Sequence, residues 1–255
     1  MEHYFERAGA HSYRATRHTT GAWRTSEQHI APALGLLVHA VECDREERAG
    51  DKVIGRLSFD ILGTVAVEEV ETSVRVIRPG RTIELVEATL AHAGRPAVTL
   101  RAWLMQAGET GELAGDHHAP MPSVEQTPVW DMSTVWPGGF IASAEVRRAQ
   151  DAPGRARAWV RSDVALVDDD DVSPLAHAAR LLDIANGIAV RVSPQEVAFP
   201  NLDLTAHLFR QPRGEWLGFD TSVSFGPGGT GVTSTVLHDE SGAVGTMDQI
   251  LTVRP

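Results

Sequence analysis

Two polar residues fall where an apolar side chain is expected, a third opens a strand beside them, and each has chemistry available to it. Near the end of the chain, strand alternation puts Gly245, Met247, Gln249, Leu251 and Val253 on one face. Gln249 is the exception on that face. Burying an amide without partners costs a few kcal/mol, about 1–3 by mutational measures, so Gln249 is either a satisfied core residue or part of a pocket wall. Asp183 stands in Leu181-Leu182-Asp183-Ile184-Ala185, in the middle of a helical apolar run. A carboxylate there needs a partner or a cavity holding water. One partner is near in sequence: His177, Arg180, Asp183 and Asn186 recur every third residue, and Arg180 can pair with Asp183 along such a stripe. The third residue is Asn201. In Asn201-Leu202-Asp203-Leu204-Thr205-Ala206-His207-Leu208-Phe209, Leu202, Leu204, Ala206 and Leu208 share one face, and Asn201, Asp203, Thr205 and His207 the other. A polar strand face usually meets water, but a residue at the strand start can reach a site beside the helix, and Asn201 is best placed to do so.

The elements that must position these residues come as a repeat. Pro79-Gly80-Arg81-Thr82 leads through a strand-like run to a second turn at Gly94, and 148 residues later Pro227-Gly228-Gly229-Thr230 leads to a turn at Gly242. The same offset carries a helix start at Thr25-Ser26 onto Ser173-Pro174, a good N-cap followed by a good first helical residue. Helices are expected over 26–41 and 174–190. Each is followed by four strands, near 53–62, 66–78, 82–92 and 96–105 in the first copy and 201–209, 215–226, 230–239 and 243–253 in the second. One strand precedes each helix, at 13–19 and 155–165. The second helix is apolar almost all round and must be buried on most sides, which a curled antiparallel sheet would achieve. The expected class is α+β. The expected organisation is a first copy over 1–106, a linker over 107–154 rich in Pro, Gly and acidic residues, and a second copy over 155–255. Trp130, Trp136 and Phe140 can anchor the linker.

Composition narrows the function. With 255 residues, 42% of them hydrophobic, the chain can fill a real core. Its formal charge of -11 disfavours nucleic acid, which needs basic patches. No stretch approaches the roughly 18 apolar residues of a membrane span, and the start carries no signal-peptide core, so cytoplasm is the expected location. A single cysteine, Cys43, excludes an internal disulfide and reads as packing filler. Gly226-x-Gly228-x-x-Gly231 copies a dinucleotide fingerprint, but a period-two run follows where a helix is required, so it reads as a hairpin turn. No Gly-x-Ser-x-Gly elbow is present. Asp116-His117-His118 has no partner ligand at a diagnostic spacing, so no metal or other cofactor is expected. The run Asp168 to Asp171 reads as a solvated loop before a helix N-terminus.

At these residues the sequence resembles the bacterial acyl-CoA thioesterase II-like family of double hot-dog enzymes, in which a long helix wrapped by an antiparallel sheet occurs twice. The likeness covers most of the chain outside the linker, including Tyr13-Arg14-Ala15-Thr16 to His29, Arg78-Pro79-Gly80-Arg81, Asn201 to Thr205 and Gly214-Glu215-Trp216. The resemblance implies hydrolysis of an acyl-CoA or related acyl thioester by a water that an Asp, a Ser or Thr and a Gln hold in the second half. The Asp falls on Asp183 and the Gln on Gln249. The hydroxyl residue falls on Asn201, an amide and a departure from the pattern, with Thr205 as its alternative. A second departure is His29-Ile30-Ala31-Pro32, where relatives often have a glycine pair. Asp183 would act as base or water orienter, and a backbone N–H near a helix start as oxyanion donor. At offset 148, Asp183 matches Gly35 and Gln249 matches Arg101, so the first copy would serve as scaffold. The acyl chain would lie in an apolar tunnel beside the second helix. Two rivals remain: a non-catalytic acyl-binding protein, and a hydroxyacyl-CoA dehydratase using Asp203 and His207, which stand roughly 13 Å apart along a strand. A homo-oligomer stays open.

Overall fold

The computed structural model describes residues 2–168 and 170–255. The first half runs β1 (His3–Arg7), β2 (Ser12–Ala15), α1 (Ile30–Glu47), β3 (Val53–Ile61), β4 (Glu69–Arg78), β5 (Ile83–His92) and β6 (Arg95–Met105). The segment between the halves ends in α2 (Gly139–Ser143) and β7 (Ala144–Ala152), and the second half runs β8 (Arg155–Ser162), β9 (Ala165–Val167), α3 (Pro174–Ala179), α4 (Ala185–Ile188), β10 (Asp203–Leu208), β11 (Leu217–Phe225), β12 (Thr230–Asp239) and β13 (Gly242–Thr252). Among the described residues the strands form one 13-stranded sheet, ordered β7-β8-β11-β12-β13-β10-β3-β6-β5-β4-β2-β1-β9. The halves meet where β10 pairs antiparallel with β3, from Asp203↔Asp60 to His207↔Arg56. The sheet curls around the helices, and α1 is buried on every side from Ala31 to Glu42. This is the double hot-dog α+β architecture.

The strand ladders sharpen the repeat. The pair Ile83↔Met105 recurs as Thr230↔Thr252, each residue 147 positions on, one fewer than the turns suggest. One residue reverses the face of a strand. The counterpart of Gln249 is therefore the buried Ala102, not Arg101, whose exposed guanidinium pairs with Glu87 at 3.0 Å.

Both helices differ from expectation. α1 begins at Ile30 rather than Ser26, because the backbone at Glu27 and Gln28 is already held in bridges to Ala66 and Thr20 and so cannot turn helical. It continues beyond Val41 to Glu47 through a polar last turn that faces water. In the second half Ser173 caps as expected, its Oγ accepting the Ala176 N–H at 3.1 Å. The helix is then interrupted after Ala179. Leu181 and Ile184 bond three residues back instead of four, making a 3₁₀ turn at Leu182–Ile184 before α4. Here the two helices almost touch: a Cβ on Gly35 would stand 2.6 Å from Arg180 Cβ. Counted from the caps His29 and Ser173, Asp183 corresponds to His39 and not to Gly35. Arg180 does not pair with Asp183; its guanidinium bonds the carbonyls of Ser162, Val164 and His177.

The segment expected to be a linker carries more than anchors. Its last residues form β7, paired along its length with β8 from Ala144↔Ser162 to Ala152↔Arg155. The acidic run before α3 is not simply solvated either. Asp168 accepts the Arg7 N–H at 2.6 Å, and Asp170 pairs with Arg7 and with His39 at 2.9 Å, tying this loop to β1 and α1. Asp169 lies outside the described residues. No described helix is long and apolar enough to cross a membrane.

Candidate active site

Asp183, Asn201 and Gln249 converge. The 3₁₀ turn delivers Asp183 toward the sheet, and Asp183 Oδ1 accepts Asn201 Nδ2–H at 2.6 Å and Gln249 Nε2–H at 3.3 Å. Gln249 points inward between the buried Met247 and Leu251, as alternation requires. Asn201 gets there differently. It has the parity of the outward face, but the pairing slips by one residue between Asn201↔Leu251 and Thr205↔Asp248, and the slip turns Asn201 inward and leaves Leu202 48% exposed. Asp203 stabilises the irregularity: its Oδ1 accepts the Ile250 N–H at 2.7 Å, while its own carbonyl accepts from Asn201 Nδ2 at 3.2 Å.

The same geometry removes the alternatives. Thr205 faces the other side of the sheet, its hydroxyl bonded to Ser58 at 3.0 Å, and does not join Asp183. Asp203 is occupied at the irregularity and His207 is exposed, so neither lines the cavity at Asp183 and the dehydratase pair is not assembled.

A fourth residue comes from the first half. His29 caps α1, its Nδ1 accepting the Ala31 N–H at 3.1 Å, and the same nitrogen lies 3.6 Å from Asp183 Oδ2. This is not an ion pair. Burial drives the His29 imidazolium down to about 3, so the ring is neutral, and an Nδ1 that accepts from Ala31 leaves the ring proton on Nε2. Its face packs on Phe140, with centroids 4.3 Å apart. Burial also pushes the Asp183 carboxyl up to about 7, against the opposing effect of its two amide bonds. A group that changes protonation near neutrality inside a cavity suits general acid–base work. Sequence patterning missed His29 as a site residue; the His-x-x-Pro at the helix start was its only trace.

Asp183, Asn201 and His29 line a cavity of about 610 Å³ whose walls come from three parts of the chain. Trp23, Ile61 and Leu62 belong to the first half, Ile184 and Gly187 to the second, and Met132, Trp136 and Ile141 to the segment between. Trp136 donates its indole N–H to Gly187 O at 3.0 Å and meets Trp23 edge to face at 5.0 Å. Leu62 and Trp23 stand exposed at the rim of the cavity, whereas Met132 and Trp136 are each only 4% exposed and form its buried wall. A largely apolar pocket with a few convergent polar groups is the form expected of a small-molecule site.

Comparison with known proteins bears on this site. Residues 19–105 match the family model described as acyl-CoA thioesterase N-terminal domain, and residues 115–253 match the acyl-CoA thioesterase C-terminal domain. No functionally curated protein matches the sequence. Among solved structures, a hot-dog protein of unknown function from Alicyclobacillus acidocaldarius is 13% identical, with 98% of this chain and 95% of that one covered at a TM-score of 0.78. The TesB protein of Mycobacterium avium subspecies paratuberculosis is 16% identical, with coverages of 98% and 96% and a TM-score of 0.68. The acyl-CoA thioesterase II TesB2 of Mycobacterium marinum is 18% identical, with coverages of 98% and 94% and a TM-score of 0.67. At these identities the structures speak for the fold; the family models speak for the kind of enzyme.

Proposed function

The chain belongs to the acyl-CoA thioesterase family and hydrolyses acyl thioesters, and we propose that it does so on acyl-CoA with a water activated by Asp183 and fixed by Asn201 and Gln249. The observation that carries this reading is the division of labour at Asp183. Oδ1 is saturated by two amide donors, so the carboxylate is held still, and the basic lone pairs of Oδ2 are left for a water in the cavity. Asn201 lines the cavity and can accept from that water through its Oδ1; Gln249 is buried behind the carboxylate and acts by orienting it. Asn201 thus does with an amide what the family resemblance assigns to a hydroxyl. A thioester is already activated, so a positioned water and a base suffice without a covalent nucleophile. The acyl chain runs along α4 toward the buried Met132, and the thiol moiety leaves by the solvent-exposed rim of the cavity.

Thiol release from acyl-CoAs of increasing chain length tests the assignment. Asp183→Asn is expected to lower kcat by about 10²- to 10⁴-fold. Gln249→Ala and Asn201→Ala are expected to lower it less, since each removes one of two bonds to the same oxygen. Unchanged turnover in Asp183→Asn and Gln249→Ala together would sink it.

A further inference from the structure

A base and a water complete only half of a thioester hydrolysis. The carbonyl oxygen gains charge as the water adds, and in a cavity that charge needs fixed N–H donors. A helix N-terminus ordinarily supplies them from its first amides. In α1 those amides are largely spent. His29 N–H bonds Thr19 O at 2.7 Å, Ala31 N–H is taken by His29 Nδ1, and Pro32 has none. Among the described residues, the Ile30 N–H is the one of the first four positions left without a partner.

The donor missing from the backbone is present on the ring that displaced it. His29 lines the cavity, its Nδ1 is tied to Ala31, and its proton therefore sits on Nε2. Among the described residues Nε2 has no hydrogen-bond partner, and it is not enclosed by protein, which leaves it to the cavity. Phe140 stacks against the ring and holds its orientation. We infer that His29 Nε2–H is the oxyanion donor of this site, with the Ile30 N–H as the second.

This inference rests on the hydrolytic reading above and completes its step. The water oxygen bonds to the carbonyl carbon as its proton passes to Asp183 Oδ2, and the carbonyl electron pair moves onto oxygen, held by His29 Nε2–H and Ile30 N–H. Collapse restores the C=O bond and breaks the C–S bond, and the departing thiolate takes the proton from Asp183. His29 keeps its own proton throughout.

His29→Asn and His29→Gln separate the donor from the helix cap. Asparagine is a good N-cap and can keep the Ala31 bond, but it is too short to put an N–H where Nε2 stands. Glutamine caps poorly yet extends an amide N–H to that distance. His29→Asn is expected to keep the α1 cap while losing the ring's packing on Phe140, to hold KM within about threefold, and to lose about 10²- to 10³-fold in kcat. His29→Gln is expected to melt lower but recover part of the lost kcat. If His29→Asn turns over like wild type, or loses only through KM, or if Asn restores more turnover than Gln, His29 is a cap and the inference is overturned. Asp183→Asn in the same assay keeps the two readings apart. Turnover lost in Asp183→Asn but kept in His29→Asn removes the oxyanion assignment alone, whereas no thiol release by wild type on any acyl-CoA removes both.

Discussion

Asp183 carries opposed demands. Its carboxyl ionises near 3.8 in ordinary surroundings and near 7 here, chiefly because burial penalises the charge. Between those values the folded protein holds a proton that the unfolded chain has released, so stability falls as pH rises through this window, by roughly 4 kcal/mol across its width. His29 works in the other direction: held neutral down to about 3 against an ordinary 6.5, it makes the fold less stable as pH falls. The two largely cancel in the wild type. Asp183→Asn keeps the shape and removes one partner of that balance. The variant should gain on wild type by about 2 kcal/mol or more between pH 5 and pH 8, measured by urea denaturation at both. A gain that is equal at the two pH values would mean that the carboxyl is not held up by burial. Catalysis reads the same proton. Hydrolysis by wild type should rise with pH to a plateau above about 7, because only the ionised carboxylate accepts from water.

The elements show what alternation and capping rules can and cannot reach. Gln249 was legible because β13 is a regular antiparallel strand, and a polar residue on its inward face has few places to go. Asn201 was legible only as a neighbour of the site, since its inward turn depends on a one-residue slip against β13 that no local pattern announces. The same blindness hid the late start of α1, set by long-range bridges at Glu27 and Gln28, and the break in the second helix, which lies beside the Gly35 crossing with Arg180. β7 passed for linker because only Val146 of its nine residues is fully buried. Asp203 offers a test of the slip. Asp203→Ala removes the acceptor for the half-exposed Ile250 N–H, a loss of about 1 kcal/mol in stability. Turnover should fall further than that implies, by about tenfold or more, because Asn201 loses the backbone that aims it. A variant with the expected Tm shift and wild-type kcat would show that the slip does not govern the site. Gly35→Ala probes the other element: its Cβ would meet Arg180 Cβ and the Ala176 carbonyl at under 3 Å, which should cost about 1–3 kcal/mol of stability in thermal denaturation.

At the scale of the whole molecule, neither half contains the site. Asp183, Asn201 and Gln249 come from the second, the His29 ring from the first, and Met132, Trp136 and Ile141 from the segment that joins them. The joining segment therefore sets how deep the cavity runs. Trp136 is pinned there by its bond to Gly187 O, so its removal would strand a buried carbonyl as well as open space. Met132 has no such tie: its Cε lies 3.2 Å from where a Cβ on Gly187 would be, and it packs across α4 through dispersion alone. Met132→Ala should cost about 2–5 kcal/mol in stability, as a buried large-to-small change does. On the reading that the acyl chain runs along α4, the vacated volume admits roughly two or three more methylenes, each worth about 1–3 kcal/mol of discrimination in an apolar pocket. The kcat/KM profile over acyl-CoA chain length should then shift its maximum upward in the variant, with the short substrates losing ground because they no longer fill the end. An unshifted profile in a variant that still folds would mean that the chain leaves Asp183 in another direction.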